Sequence, residues 1–247
     1  MLGMQLSNMD LVDLQKIALE TAREAGEFLL KNKKEKKSVL TAEGRDIKLE
    51  LDIQTEELIR NKLKKTNIIV LGEELGLDRE EDLKWVIDPI DGTSNYYRGL
   101  DQCCVSISLM QQEEALLGVI FNFNNNEMYH AAKNMGAFLN NEPISVSNID
   151  DRRKASLTTG FPASESLESS LKFLEDLCEW KKIRMFGSAA LSCAYIASGK
   201  CDYYAERGIY LWDFAAGICI VNEAGGRVEH SLIDDQRYEV IISNGLL

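Results

Sequence analysis

A mixed α/β (α+β) fold is predicted by three observations. Apolar residues recur at spacings of three and four between Asp10 and Lys31, as in a helix that buries one face. From Ile47 to Leu51 they alternate with Lys48 and Glu50, the period of a strand. Apolar runs of strand length then fill the middle of the chain, and helix-like and strand-like segments alternate through the second half. The 247 residues are 45% hydrophobic and 28% charged, which excludes disordered, collagen-like and coiled-coil chains and leaves enough apolar surface for a proper core.

The first helix carries Leu11, Leu14, Ala18, Ala22, Ala25 and Leu29 on its buried face, with Ser7 or Asn8 as the expected N-cap. The following stretch, residues 31–45, holds Lys31, Lys33, Lys34, Lys36 and Lys37 and then Gly44. It reads as an exposed loop, either a solvated surface or a lid that brings ammonium groups to an anionic substrate. A short strand, residues 47–51, leads to Asp52, and residues 55–65 read as a helix with Leu58, Ile59 and Leu63 on one side. Residues 68–71 and 85–87 are brief apolar strands, each ending in acidic residues.

Residues 104–110, 115–123 and 127–131, with the turn Asn124-Asn125-Asn126, read as an antiparallel meander. Pro143 and the polar stretch 147–154 mark the expected boundary between an N-terminal half, residues 1–147, and a C-terminal half, residues 148–247. In the latter, helices are expected at 166–179, 188–198 and 213–223, interleaved with strands near 182–185, 202–205, 226–229 and 239–242.

Charge and composition narrow the function classes. The 40 acidic against 28 basic residues give a formal charge of −12, so nonspecific binding to a phosphate backbone is disfavoured. The six cysteines, Cys103, Cys104, Cys178, Cys193, Cys201 and Cys219, form no C-x-x-C pair and are expected to be small buried thiols rather than zinc ligands. Apolar runs fall short of the ~20 residues of a membrane helix, and residues 1–10 lack a basic segment followed by an apolar core. The chain is expected to be soluble, reduced and cytoplasmic.

The densest chemical signal is Asp88-Pro89-Ile90-Asp91-Gly92-Thr93-Ser94. Pro89 fixes one backbone angle and Gly92 permits a left-handed one, so the two aspartates can share one side of a rigid turn and form a cup for a divalent cation. Alone, the motif also fits an ordinary surface turn. Gly72-Glu73-Glu74, after the strand 68–71, supplies a second acidic strand end, and Trp212-Asp213-Phe214-Ala215-Ala216-Gly217 puts an acid at the opening of an apolar helix. Taken singly, Asp213 is a helix N-terminal carboxylate and Glu73 or Glu74 a solvated charge. Together they make an oxygen-only donor set, suited to Mg²⁺ or Mn²⁺, and the only histidines, His130 and His230, lie outside it.

In this order, G-E-E, W-V-I-D-P-I-D-G-T-S-N and W-D-F-A-A-G resemble the inositol monophosphatase family of Mg²⁺-dependent, lithium-sensitive phosphatases. The segment 46–52, Gly187-Ser188-Ala189-Ala190 and residues 206–208 also fall in family order, so the similarity spans nearly the whole chain. Ser94, Tyr96 and Arg98 depart from the commoner family residues and bear on substrate shape more than on catalysis.

The resemblance implies a layered α-β-α-β-α sandwich, a homodimer and a site for two to three Mg²⁺. It implies that Glu73, Asp88, Asp91, Asp213 and the Ile90 carbonyl ligate the cations, with Glu74 behind them. Thr93, hydrogen-bonded to Asp52, would with Glu73 orient and deprotonate the attacking, metal-activated water. The N–H groups of Gly92 and Thr93, with Asp91 and Ser94 beside them, would hold the phosphate, and Glu206 and the Ala189 main chain would contact a polyol ring. A carboxylate at Glu206 suits neutral hydroxyls and disfavours a second phosphate.

The activity implied is hydrolysis of inositol 1-phosphate or a similar polyol phosphate. No P-loop G-x-x-x-x-G-K-[ST] occurs to suggest kinase-type transfer. Two alternatives remain. One is a related phosphatase acting on 3′-phosphoadenosine nucleotides, fructose bisphosphate or NADP; the other is a non-catalytic role, binding a macromolecule such as the transcription machinery.

Overall fold

The structure, a computed structural model, describes residues 10–35, 38–43, 46–77, 79, 81–160 and 167–247. Helix α1 (Leu11–Asn32) is capped by Asp10, whose Oδ1 accepts the Asp13 N–H at 2.9 Å. The expected caps Ser7 and Asn8 lie outside the described residues. The buried stripe Leu14, Ile17, Ala18, Ala22, Ala25 and Leu29 keeps the helical spacing read from the sequence.

The lysine-rich stretch departs from the expected loop. It contains β1 (Val39–Glu43) paired antiparallel with β2 (Asp46–Leu49), and α2 (Glu50–Leu63) follows at once, upstream of the expected start at Thr55. Asp52 explains the early start: its Oδ2 accepts the Leu49 N–H at 2.5 Å, which satisfies a donor that the first helical turn leaves free. Of the lysines considered for a lid, Lys33 is held by Asp101 and Asn124 at 2.7 and 2.6 Å. Lys36 and Lys37 lie outside the described residues.

Strands β3 (Ile69–Gly72), β4 (Gly76–Leu77), β5 (Leu83–Asp91), β6 (Cys104–Gln111), β7 (Glu114–Asn122), β8 (Glu127–Ala132), β9 (Ala137–Leu139) and β10 (Glu142–Pro143) make one eight-stranded sheet. Its order is β10-β9-β8-β7-β6-β5-β3-β4, and all neighbours are antiparallel except β3 and β5. A short helix, α3 (Thr93–Arg98), follows β5. Helices α1 and α2 cover one face of this sheet, with Trp85, Ile87, Val105, Ile107, Leu117 and Phe121 in the core between them.

The second sheet has five strands: β11 (Ser156–Thr159), β12 (Lys182–Arg184), β13 (Tyr203–Tyr210), β14 (Arg227–Leu232) and β15 (Arg237–Ser243), in the order β12-β11-β13-β15-β14. Between the sheets lie α5 (Ala189–Ala197) and α6 (Leu211–Glu223), in contact with both. That position explains their composition: flanked on two sides by sheet, they are buried over most of their surface and are apolar nearly all round. Gly118 of β7 lets α6 come close, since a Cβ there would stand 2.2 Å from the Ala216 carbonyl oxygen. Helix α4 (Leu167–Leu177) forms the outer layer, where Phe173 and Asp176 share a cavity with Thr159, Ala205 and Val240 of the small sheet. The result is the α-β-α-β-α layering implied by the resemblance. Five of the six cysteines are buried as expected, whereas Cys178, just beyond α4, is exposed.

Candidate metal centre

The aspartate motif is not the turn after a strand that the sequence suggested. Strand β5 runs through Asp88, Pro89, Ile90 and Asp91. In a regular strand, residues three apart point to opposite faces. Here the pairing shifts: Asp88 faces Ser106 and Asp91 faces Cys104, so one extra residue is accommodated in β5. This bulge turns both carboxylates to the same side, and it also tolerates Pro89, which has no N–H to give to a ladder.

Asp213, in the first turn of α6, completes the group: Asp88, Asp91 and Asp213 each offer a carboxylate oxygen within 4.8 Å of the others. Each acid is fixed by main-chain donors. Asp88 Oδ1 accepts the Ile90 N–H at 2.9 Å, and Asp213 Oδ2 the Tyr210 N–H at 2.7 Å. Asp91 is bound at the start of α5, by the Ala190 N–H at 2.9 Å, the Ala189 N–H at 3.3 Å and the Ser188 hydroxyl. Glu73, in the turn after β3, hydrogen-bonds Asp88.

Beside these acids, Thr93 Oγ1 lies 2.9 Å from the Ile90 carbonyl and 3.4 Å from Asp52 Oδ1. Its single proton can serve either acceptor, so Thr93 links the acid strand to α2. Gly92 adopts φ +87°, and a Cβ there would stand 2.7 Å from the Gln102 carbonyl, so the turn into α3 admits only glycine. Ser94 is exposed at this turn.

The electrostatics describe a site short of positive charge. Burial, and then the charges of Glu73, Asp91 and Asp213, raise Asp88 well above the ordinary carboxylate range. Burial and the charges of Asp91 and Glu73 do the same to Asp213. Burial also raises Asp91, against the hydrogen bonds from Ser188, Ala190 and Ala189. Asp52 is raised to about 7, by burial first. Glu73 rises to about 8 through burial of its carboxyl and the charges of Glu74 and Asp52. As a residue Glu73 is nonetheless exposed, which gives the like charges more weight than dehydration in its case. Glu74 forms an ion pair with Lys48.

These residues fit a hard divalent cation. The donors are all oxygens, they converge, and their mutual repulsion is what a dication relieves. Cys104 Sγ lies 3.6 Å from Asp91, but burial holds its thiol pKa well above the ordinary value, so it keeps its proton and offers no soft thiolate.

The profile of the inositol monophosphatase family matches residues 10–238. The chain belongs to the inositol monophosphatase family. It is 42% identical to "Nus factor SuhB" of Xylella fastidiosa over 86% of this chain and 80% of that protein. It is 36% identical to "Inositol-1-monophosphatase" of Synechocystis, over 81% of this chain and 73% of the other. The crystal structure of the extragenic suppressor protein suhB of Bartonella henselae superposes with a TM-score of 0.87 at 31% identity, covering 94% of each chain. Membership of the family supports phosphatase chemistry and metal binding at this acidic group.

Other inositol monophosphatase family positions read from the sequence lie further out. Glu206, on β13, accepts the Tyr204 hydroxyl at 2.9 Å, and burial raises its carboxyl to about 7. It borders a cavity of about 360 Å³ with Gly160, Lys172, Phe173 and Arg207. The Ala189 N–H points to Asp91 rather than outward. Sequence reading missed several residues that build the site: Ser188, which caps α5 and binds Asp91; Asn95, which donates to the Gln102 and Phe186 carbonyls at 2.7 Å; and Glu56, buried under the Gly72–Leu75 turn. Ser188 was visible within the G-S-A-A match, whereas nothing in the local sequence marks Glu56. Among the described residues, no helix is long and apolar enough to cross a membrane.

Proposed function

We propose that the chain is a Mg²⁺-dependent phosphomonoesterase whose best substrate is inositol 1-phosphate or a similar polyol phosphate. The observation that carries this reading is the convergence of Asp88, Asp91 and Asp213 within 4.8 Å, with Glu73 on Asp88 and the Thr93–Asp52 pair alongside. Glu73, Asp88, the Ile90 carbonyl, Asp91 and Asp213 are the residues that would hold two to three Mg²⁺. Bound there, the cations neutralise the phosphate dianion and lower the pKa of water.

The chain's own groups do the rest. Gly92 and Thr93 present N–H groups to the phosphate at the start of α3, with Ser94 beside them. Glu73 and Thr93 orient the attacking water. Asp52, whose pKa near 7 suits proton exchange at neutral pH, accepts the proton that Thr93 Oγ1 relays. Glu206 and the Ala189 segment face the leaving polyol, where Glu206 accepts hydrogen bonds from hydroxyls and repels a second phosphate. The halves 1–147 and 148–247 meet at this centre. The family resemblance adds a homodimer to the proposal, which sedimentation mass checks, and the composition adds a cytoplasmic setting.

The test is phosphate release from inositol 1-phosphate, fructose bisphosphate, a 3′-phosphoadenosine nucleotide and NADP, with and without Mg²⁺. Mg²⁺-dependent turnover, fastest on the polyol monoester, is the expected result. No metal-dependent turnover removes the phosphatase reading, and preference for a bisphosphate moves the substrate to the related class. A second reading, macromolecular binding without catalysis, draws on the 42% identical relative that carries the name Nus factor SuhB. An Asp88→Asn variant that loses hydrolysis but still complements a deletion of its gene favours that reading.

A further inference from the structure

Glu56 is fully buried, carries a carboxylate, and has no part in the chemistry above. Its surroundings explain why it is there. From α2 it reaches the turn after β3: its Oε2 accepts the Glu74 N–H at 2.7 Å, and its Oε1 accepts the Leu75 N–H at 3.2 Å. One helical turn on, Arg60 donates to the same Oε1 at 2.7 Å. The guanidinium then reaches the Val70 carbonyl at 3.2 Å and the Gly76 carbonyl at 2.5 Å.

The pair therefore grips every side of one short segment. Arg60 binds the backbone before and after the turn, Glu56 binds two N–H groups within it, and the Glu56–Arg60 bond joins the two grips. Gly72 is shaped to this arrangement, since a Cβ there would stand 2.2 Å from Glu56 Oε1. Glu73 sits between Gly72 and Glu74, so its backbone is fixed on both sides although the residue itself is exposed. A buried carboxylate would be costly without such partners. Charge-assisted bonds to N–H groups hold a loop more tightly than neutral ones.

We propose that Glu56 and Arg60 are positioning residues that set the height and direction of Glu73 and thereby the affinity of the acidic centre for divalent cations. The proposal rests on the metal-dependent phosphatase reading for its outcome in turnover, and on the hydrogen bonds alone for its outcome in backbone order. Removing the clamp should loosen the Gly72–Gly76 turn, let Glu73 swing towards solvent, and weaken cation binding. It should leave the cavity beside Glu206 as it is.

The experiment compares the full-length protein with Glu56→Ala, Glu56→Gln, Glu56→Asp and Arg60→Met. Amide hydrogen exchange over residues 72–76 without metal reads the order of the turn. The rise of Tm with added Mg²⁺ reads cation affinity, and turnover of inositol 1-phosphate gives KM, kcat and the Mg²⁺ activation midpoint. Expected for Glu56→Ala are faster exchange confined to that turn and a Mg²⁺ midpoint raised about 10–100-fold, as for lost supports of metal ligands elsewhere. Substrate KM should stay within about threefold, since the groups that meet the polyol are untouched. Glu56→Gln, which keeps one acceptor at full reach, should recover part of the affinity, and the shorter Glu56→Asp should not.

Exchange and Mg²⁺ midpoint both unchanged in Glu56→Ala overturn the proposal. So does a loss in which KM rises in step with the midpoint and Glu56→Gln rescues neither. If Glu56→Ala fails to fold, Glu56→Gln and Arg60→Met decide by the same two readouts. A wild-type chain with no Mg²⁺ response removes the phosphatase reading and the clamp's role in affinity together, whereas unaltered exchange removes the clamp alone.

Discussion

The acid cluster and the neighbourhood of Glu206 are held in opposite ways. Asp52, Asp88, Asp91 and Asp213 each have carboxylate oxygen bound by a main-chain N–H: that of Leu49, Ile90, Ala190 and Tyr210 respectively. None of these can relocate without undoing a helix start or a strand bulge. Glu206 is held by the side-chain hydroxyl of Tyr204, and its cavity is shared with exposed Arg207 and with Lys172 of the outer helix α4. On the proposed function, the reaction centre is thus set by backbone geometry, and the substrate side by side chains that can be exchanged without refolding. Such a division lets one scaffold keep its chemistry while its substrate range changes.

The largest effect should come from the rigid side. Asp88→Asn is expected to lower phosphate release at least about a thousandfold, the scale of losing an electrostatic group at the reacting centre. The same variant removes a charge that three other acids repel, so its Tm without metal should equal or exceed that of wild type. An Asp88→Asn protein that retains activity breaks the contrast outright. Next is Ser188→Ala, which takes a donor from Asp91 and the cap from α5. A Mg²⁺ midpoint raised about tenfold is expected, with recovery in Ser188→Thr.

On the adaptable side, Glu206→Gln should raise KM for the polyol ester by about tenfold through loss of charge-assisted hydrogen bonds. kcat and the Mg²⁺ midpoint should stay within about twofold. A shift of the Mg²⁺ midpoint there would show that the two regions are not separable.

The smallest effect concerns stability. Asp52, Glu206 and Glu73 have folded pKa values raised to about 7, 7 and 8, above ordinary values of 3.8, 4.5 and 4.5. The folded chain therefore holds more protons than the unfolded chain through that window, and stability without metal should fall as pH rises across it. Mg²⁺ needs its own proposed ligands deprotonated, Glu73 among them, so its stabilisation should be larger at about pH 8 than at about pH 5.5. At a hundredfold excess over Kd the gain is about 2.7 kcal/mol, or roughly 5–10 °C in Tm for a chain of this length. Calorimetry at the two pH values checks both signs.

Much of this centre was legible in the sequence because its chemistry depends on residue type. Three acidic motifs with Gly and Pro around them held Asp88, Asp91 and Asp213, the acids that the fold brings together, and α1 declared itself by period. What the sequence hid were features of register and long-range packing. The bulge in β5 leaves no periodic mark, because Pro89 and Gly92 equally suit a turn. Helix α2 began early because Asp52, read as a residue at a strand end, closes its first turn. Strand β11 was overlooked because Ser156–Thr159 is short and largely polar, and it is recruited between β12 and β13. Glu56 acts through contacts with a turn distant in the sequence, which no local window contains.

The bulge in β5 makes the count of residues between Asp88 and Asp91 as important as their identity. Delete Ile90 and the pleat becomes regular at even spacing, with both acids still on one face but the Thr93 hydroxyl deprived of its nearest carbonyl and α3 pulled out of phase. Insert a residue between the two acids and Asp91, Gly92 and Thr93 all move one position along the pleat, away from the side that Asp88 faces. A length polymorphism here, however conservative its chemistry, is expected to silence the centre more thoroughly than most substitutions.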